Sequence, residues 1–239
     1  MSDKIRVTVW NEFHDDQRHS SITDMYPGGL QCEIGRMLEG CADMDVRLRT
    51  LFDAEQGLSL EELAQTDVLI FYSHSKQHAI ERERVEAVIE RVHQGMGLIL
   101  LHSALGSDLC RDLLGLRWKV PYREMGELER VFVIEPSHPI AEGLGQYFEF
   151  PQSEMYADPA QIPTPDEVVF LSWYAGGNAS RSGFTYRRGA GKIFCFTPGH
   201  AWYNVLKQPG YAIVMQNAVR WARPPRAPYC PVEGPIGML

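Results

Sequence analysis

The chain has 239 residues, of which 44% are hydrophobic and 23% charged, and a formal net charge of −8. That length and apolar content suit one large domain with a sizeable core. An acidic surface with no Lys/Arg run repels nucleic acid, so nucleic-acid binding is set aside.

The start, Met1-Ser2-Asp3-Lys4-Ile5, has no long apolar stretch behind a basic segment and does not read as a signal peptide. The longest apolar runs, such as Val68 to Tyr72 and Leu98 to Leu101, are strand-sized and too short to span a membrane. Cysteines 32, 41, 110, 195 and 230 are odd in number and form no C-x-x-C pair. They read as reduced thiols of a cytoplasmic protein rather than a disulfide framework or a zinc knuckle.

Ile5 to Trp10 is rich in β-branched residues and predicts a first strand, followed by the polar loop Asn11 to Asp16. Pro27-Gly28-Gly29 opens a helix with Leu30, Ile34 and Leu38 on one face, and Gly40 ends it. Val46, Leu48 and Thr50 alternate as a second strand, and Ser59-Leu60-Glu61-Glu62 has capping-box spacing. Asp67 to Tyr72 is apolar almost throughout, as a doubly covered parallel strand is. The loop Ser73 to His78 follows, then a helix with Val85, Val88, Ile89 and Val92 on one face. Gly97 to Leu101 is another buried strand, breaking at His102-Ser103 into a helix that ends at Gly115. This strand–helix alternation predicts a parallel sheet covered by helices on both faces. Later strands are expected at Arg130 to Ile134, Tyr147 to Phe150 and Val168 to Tyr174, with a hairpin across Gly189-Ala190-Gly191. Pro209 begins a last amphipathic helix. The expected organisation is a single domain over 1–223 and a proline-rich tail over 224–239.

Ligands of open α/β sheets bind outside the carboxyl ends of the strands. Those ends carry Asn11, Glu12 and His14, then His74 and His78, then His102 and Ser103, then Glu154 and Tyr156, then His200. Five of the eight histidines lie there. A helix beginning inside the 73–78 loop would set His74 and His78 on one face. With Ser75 between them they are not a zinc-protease pair. Imidazole suits Zn²⁺, Mn²⁺, Fe²⁺ or Ni²⁺, and Glu154 offers an oxygen ligand. Metal ligands are therefore expected among His74, His78, His102, His200 and Glu154, with zinc first. Trp202 and Tyr203 are among the aromatics near this rim that can stack on sugar rings. His19, His93 and His138 read as structural. Ser103 lacks the flanking glycines of a nucleophile elbow, and neither a G-x-G-x-x-G nor a Walker A sequence occurs.

Several stretches together resemble the ThuA-like (trehalose-utilisation) family. They are Val7 to Phe13, Gly97 to Ser103, Glu154-Met155-Tyr156, Arg181 to Gly189, Lys192-Ile193-Phe194 through Pro198-Gly199-His200, and Asn217 to Ala222. The resemblance implies a flavodoxin-like, class I glutamine-amidotransferase-like fold with a β-hairpin addition. The turn that holds a nucleophilic Cys in amidotransferases reads His102-Ser103 here, so glutaminase chemistry is not expected. The family's paired histidines after the third strand are matched by His74 and His78.

The expected function is metal-assisted chemistry on a disaccharide or its keto derivative. His102, Glu154, Tyr156 and Glu12 are the catalytic candidates. Asn11, Ser103, Trp202 and Tyr203 are the substrate-binding candidates. The alternative is a non-catalytic sugar-binding or regulatory module. Expected partners are a small carbohydrate, further copies of the chain and a sugar oxidoreductase of the same pathway, with no membrane.

Overall fold

Two short apolar runs set the architecture. Val68–Tyr72 and Gly97–Leu101 are buried at every residue, which a strand permits only when both of its faces are covered. The structure is a computed structural model describing residues 4–14, 18–115 and 119–224. Its elements are β1 (Ile5–Asn11), α1 (Ser20–Met25), α2 (Leu30–Glu39), β2 (Met44–Thr50), α3 (Leu60–Ala64), β3 (Val68–Tyr72), α4 (Arg82–His93), β4 (Gly97–Leu101), α5 (Asp108–Leu114), β5 (Tyr122–Val133), β6 (Tyr147–Tyr156), β7 (Glu167–Tyr174), β8 (Ala179–Arg188), β9 (Gly191–Phe196) and α6 (Pro209–Ala222).

Parallel pairing runs through β2-β1-β3-β4-β9. Successive strand residues point to opposite sides and divide between two apolar clusters. Val7, Val9, Ile70, Ile99, Leu101 and Phe194 pack with Leu30 and Ile34 of α2 and with Val214 and Ala218 of α6. Trp10, Leu69, Phe71, Leu98 and Leu100 pack with Leu63 of α3, Val85, Val88 and Val92 of α4, and Leu109 and Leu113 of α5. Local chemistry marks the helix ends. The Ser59 hydroxyl accepts from the Glu62 N–H at 3.1 Å, and Gly115 closes α5 with a left-handed φ of 69°. Helix α1 was not anticipated; the His19 ring caps it by accepting from Ser21 N. No helix among the described residues is long and apolar enough to cross a membrane.

The second half departs from expectation. The hairpin β8–β9 exists, but it is not an appendage: β9 is the fifth parallel strand. Four antiparallel strands continue outward in a single nine-stranded order, β2-β1-β3-β4-β9-β8-β7-β5-β6. β5 begins at Tyr122 rather than Arg130, and β6 runs on through Glu154 and Tyr156. Residues 122–129 carry Glu124, Glu127 and Glu129 without apolar alternation, which hid their strand character. Residues 225–239 of the proline-rich tail lie outside the described residues.

β6 stands five places from β4, which on a flat sheet is about 24 Å at the usual strand spacing. Yet the Tyr156 hydroxyl lies 3.3 Å from His102 Nε2. The β5–β6 arm therefore coils back over the carboxyl ends of the parallel strands. Two breaks in the β5–β6 register, between Arg123 and Glu127 and between Glu127 and Glu129, mark the bend.

At the other end of the sheet, a Cβ on Gly97 would lie 2.4 Å from the Ala222 carbonyl oxygen. Gly97→Ala should therefore push α6 off the sheet and destabilise the chain by about 1–3 kcal/mol, measured by urea unfolding.

Candidate functional site

The last residue-to-turn step of β4 lifts the central imidazole to the rim. His102 has a φ of 53° and enters a 3-10 turn over His102–Gly106. A sharp strand-to-helix turn of this kind is how α/β enzymes expose a reactive side chain. His102 Nδ1 lies 3.1 Å from the Thr197 carbonyl oxygen. A carbonyl only accepts, so Nδ1 carries the proton and Nε2 presents its lone pair to the pocket. Burial drives this imidazole's pKa well below the ordinary histidine range. His200 and His74 push it the same way, and the Thr197 bond opposes them.

The second imidazole is placed by a buried carboxylate. Glu12 accepts from Ser73 Oγ at 2.6 Å, Ser75 N at 2.7 Å and Lys76 N at 3.0 Å. The loop after β3 thus curls around Glu12 instead of starting a helix, and α4 begins only at Arg82. His74 turns into the pocket while His78 turns out. His78 is exposed and pairs through Nδ1 with Asp108 at 2.9 Å. The expected pairing of His74 with His78 is corrected: no helix carries them, and His78 lies outside the cluster.

The third imidazole follows β9. Tyr72 donates through its hydroxyl to the Gly199 carbonyl at 3.0 Å, and Trp202 N donates to His200 Nδ1 at 3.3 Å. His74, His102 and His200 each offer a ring nitrogen, and these three atoms all lie within 4.8 Å of one another. Their ring centroids are 4.8–5.4 Å apart.

The β5–β6 arm brings the carboxyl and the phenol. Glu154 Oε2 is 3.4 Å from His102 Nε2, and the Tyr156 ring stacks on His102 at 5.2 Å between centroids. Burial raises the Glu154 carboxyl to about 7, against the pull of Tyr156 and His74. His74, His200, Glu154 and Tyr156 line a cavity of about 860 Å³, a volume that suits a small-molecule site, while His102 is buried against them.

Ser103, Tyr156, Glu154 and Trp202 line this cavity. Tyr203 stands beside His200, at 5.8 Å between centroids. Two further candidates lie elsewhere. Asn11 is buried and donates to Gln31 Oε1 at 2.8 Å. Glu12 is committed to the 73–76 loop, so it positions His74 rather than facing the cavity. Neither lines the pocket: Asn11 ends β1, and Glu12, the next residue, is held by the 73–76 loop. The pocket also takes in Gln77, Lys119, Tyr122, Glu124 and Gln161, which sequence reasoning missed. Four of these five lie at 119–124 or 161, in segments without a readable period.

Glu12→Gln replaces an acceptor for at least four N–H or O–H groups with an amide that must turn a donor toward some of them. Hydrogen bonds to a charged group contribute about 1.5–3 kcal/mol each, so a loss of about 2–4 kcal/mol is expected in urea unfolding. Titration provides a second check. A carboxyl raised to about 7 by burial contributes stability that is complete below its unfolded pKa and lost as the pH rises through about 7. His102, depressed, has the opposite sign, and its contribution is complete once the pH exceeds about 6.5. Metal-free protein should therefore lose thermal stability as the pH rises from about 6.5 through about 7, and Glu154→Gln should reduce that loss by about half, because the buried Glu129 carboxyl, also raised to about 7, keeps its own share.

Comparison with known proteins gives one family. The family model for trehalose utilisation, ThuA, matches residues 6–222. No curated protein matches the chain. A solved ThuA-like protein from Bacteroides uniformis has a TM-score of 0.69 at 15% identity, covering 92% of each chain. Another from Parabacteroides merdae has a TM-score of 0.68 at 14% identity, covering 92% of this chain and 90% of that one. A cytoplasmic protein from Salmonella typhimurium has a TM-score of 0.62 at 15% identity, covering 92% and 100%. These likenesses are of fold.

Proposed function

Because the chain belongs to the ThuA family over residues 6–222, we propose that it works in carbohydrate use, as a metal-assisted enzyme on a disaccharide or its keto derivative. One observation carries the reading: three imidazoles share one small space beside a carboxyl, at the base of a roomy cavity. The donor set suits a cation. Among the described residues Glu154 Oε2 is buried without a hydrogen-bond partner, and it faces the lone pair of His102 Nε2 at 3.4 Å. Two facing acceptors repel unless a proton or a cation joins them.

His74, His102 and His200 would hold a divalent metal, zinc first, with Glu154 as oxygen ligand or proton carrier. Such an ion would supply Lewis acidity toward a carbonyl or water. The Thr197 carbonyl fixes the His102 ring in the tautomer that ligation needs. Glu154, with its carboxyl near 7, can give or take a proton at Oε2 around neutral pH. The Tyr156 hydroxyl stands 3.3 Å from His102 Nε2 and can order a substrate oxygen there. Tyr122 and Trp202 offer exposed aromatic faces at the rim for a sugar ring. His102-Ser103 stands where an amidotransferase has its cysteine, which supports chemistry other than glutamine hydrolysis. The same reading takes β2-β1-β3-β4-β9 as the flavodoxin-like order of amidotransferase-like domains, with helices over both faces; the parallel pairing and the two apolar clusters support it.

Elemental analysis and zinc titration, with turnover of keto-disaccharides, test the reading. Wild-type chain should take up close to one zinc per molecule. His200→Ala and His74→Ala should each weaken zinc binding by about 10- to 100-fold and lower turnover with it. A chain that binds no divalent metal near stoichiometrically, and gains turnover from none, is instead a sugar-binding or regulatory module.

A further inference from the structure

Glu129 lies on β5 at the bend of the arm and is fully buried. Its partners are hydroxyls of a neighbouring strand. Ser172 Oγ donates to Oε1 at 2.5 Å and Tyr174 Oη donates to the same oxygen at 3.1 Å, both from β7. Burial pushes the carboxyl up to about 7, against the pull of the hydroxyls around it. A buried carboxyl is costly, and a well-packed apolar residue often serves folding as well or better. Its presence therefore calls for a local need.

The need lies in the register. The β5–β6 ladder breaks twice within the segment that ends at Glu129, so the pairing of residues 153–156 with residues 122–127 is not continuous with the pairing that starts at Glu129 and Phe150. Glu129 stands beside that gap and reaches β7 through Ser172 and Tyr174. Tyr174 in turn packs with Met155 and Ala157, the residues on either side of Tyr156.

We propose that Glu129 is a positioning residue: by holding Tyr174 of β7 against Met155 and Ala157, on either side of Tyr156, it sets where Glu154 and Tyr156 meet His102. The inference rests on reading Glu154 and Tyr156 as working groups of the site, and its test separates the two. In zinc-free protein labelled with ¹⁵N-histidine, Glu129→Leu should shift the His102 ring resonances and leave those of His93 and His138 in place. Glu129→Gln keeps an oxygen that accepts from Ser172 and Tyr174, so it should restore the His102 signals. In the same pair of variants, zinc affinity should fall by about 10- to 100-fold and then recover. If Glu129→Leu does not fold, the double variant Ser172→Ala/Tyr174→Phe removes the same ties and is read in the same way. A folded variant with wild-type His102 resonances overturns the proposal, whatever its zinc affinity. If the wild-type chain takes up no zinc, the metal reading falls, and the His102 spectrum still decides the role of Glu129.

Discussion

Three imidazoles with ligand atoms inside 4.8 Å cannot all be charged. Two of them, His102 and His200, are also almost fully sealed from solvent, and a buried charge without a counter-charge is very costly. Burial thus drives His102 toward its neutral form. The Thr197 carbonyl holds its Nδ1 proton and leaves the Nε2 lone pair turned inward. A cluster of this kind is a poor surface for anything except a proton, a cation or a polar substrate. The remaining features of the site serve that condition. Glu12 holds the His74 loop in place, Gly199 takes the Tyr72 hydroxyl ahead of His200, and the arm lowers a carboxyl and a phenol over the top.

The sheet contributes by its geometry more than by its stability. Parallel strands all release their chains at one edge, so β3, β4 and β9 deliver residues far apart in sequence to one place. Four antiparallel steps, β9-β8-β7-β5-β6, bring β6 back to the sense of β4, so Glu154 and Tyr156 lie toward its carboxyl end as well. Without the bend of the arm, Glu154 would lie several strand widths from His102. Arg123 reinforces the arm by donating to Glu127 and to Asn178 Oδ1, and Gly176 N donates to Glu127 Oε2 at 2.8 Å. These contacts hold the arm to the β7–β8 turn, so the cavity wall is braced from outside as well as from Glu129 within.

The parallel half of the fold was legible because its strands are continuous apolar runs, and such runs leave few alternatives. His102 and His200 could be found because each directly follows such a strand. His78 misled because spacing alone cannot reveal that a carboxylate sixty residues earlier would draw the loop into a curl. The arm was illegible for a related reason. Residues 122–129 are rich in glutamates, and the buried partners of Glu129 lie 43 and 45 residues away. Nothing within a short window records such a tie. The folding of Glu154 into a strand, rather than after one, followed from the same blind spot.

One detail of the His102 turn bears on how variants there are interpreted. A side chain other than glycine in a left-handed backbone carries a standing conformational penalty of about 1–2 kcal/mol, and His102 holds that conformation at φ 53°. Every substitution at this position therefore alters two quantities together, the ring and the backbone strain. Asparagine and glycine tolerate such a backbone better than alanine does, and so separate the two. An inert His102→Asn chain that melts at a higher temperature than the native one would mark strain retained for work rather than for folding.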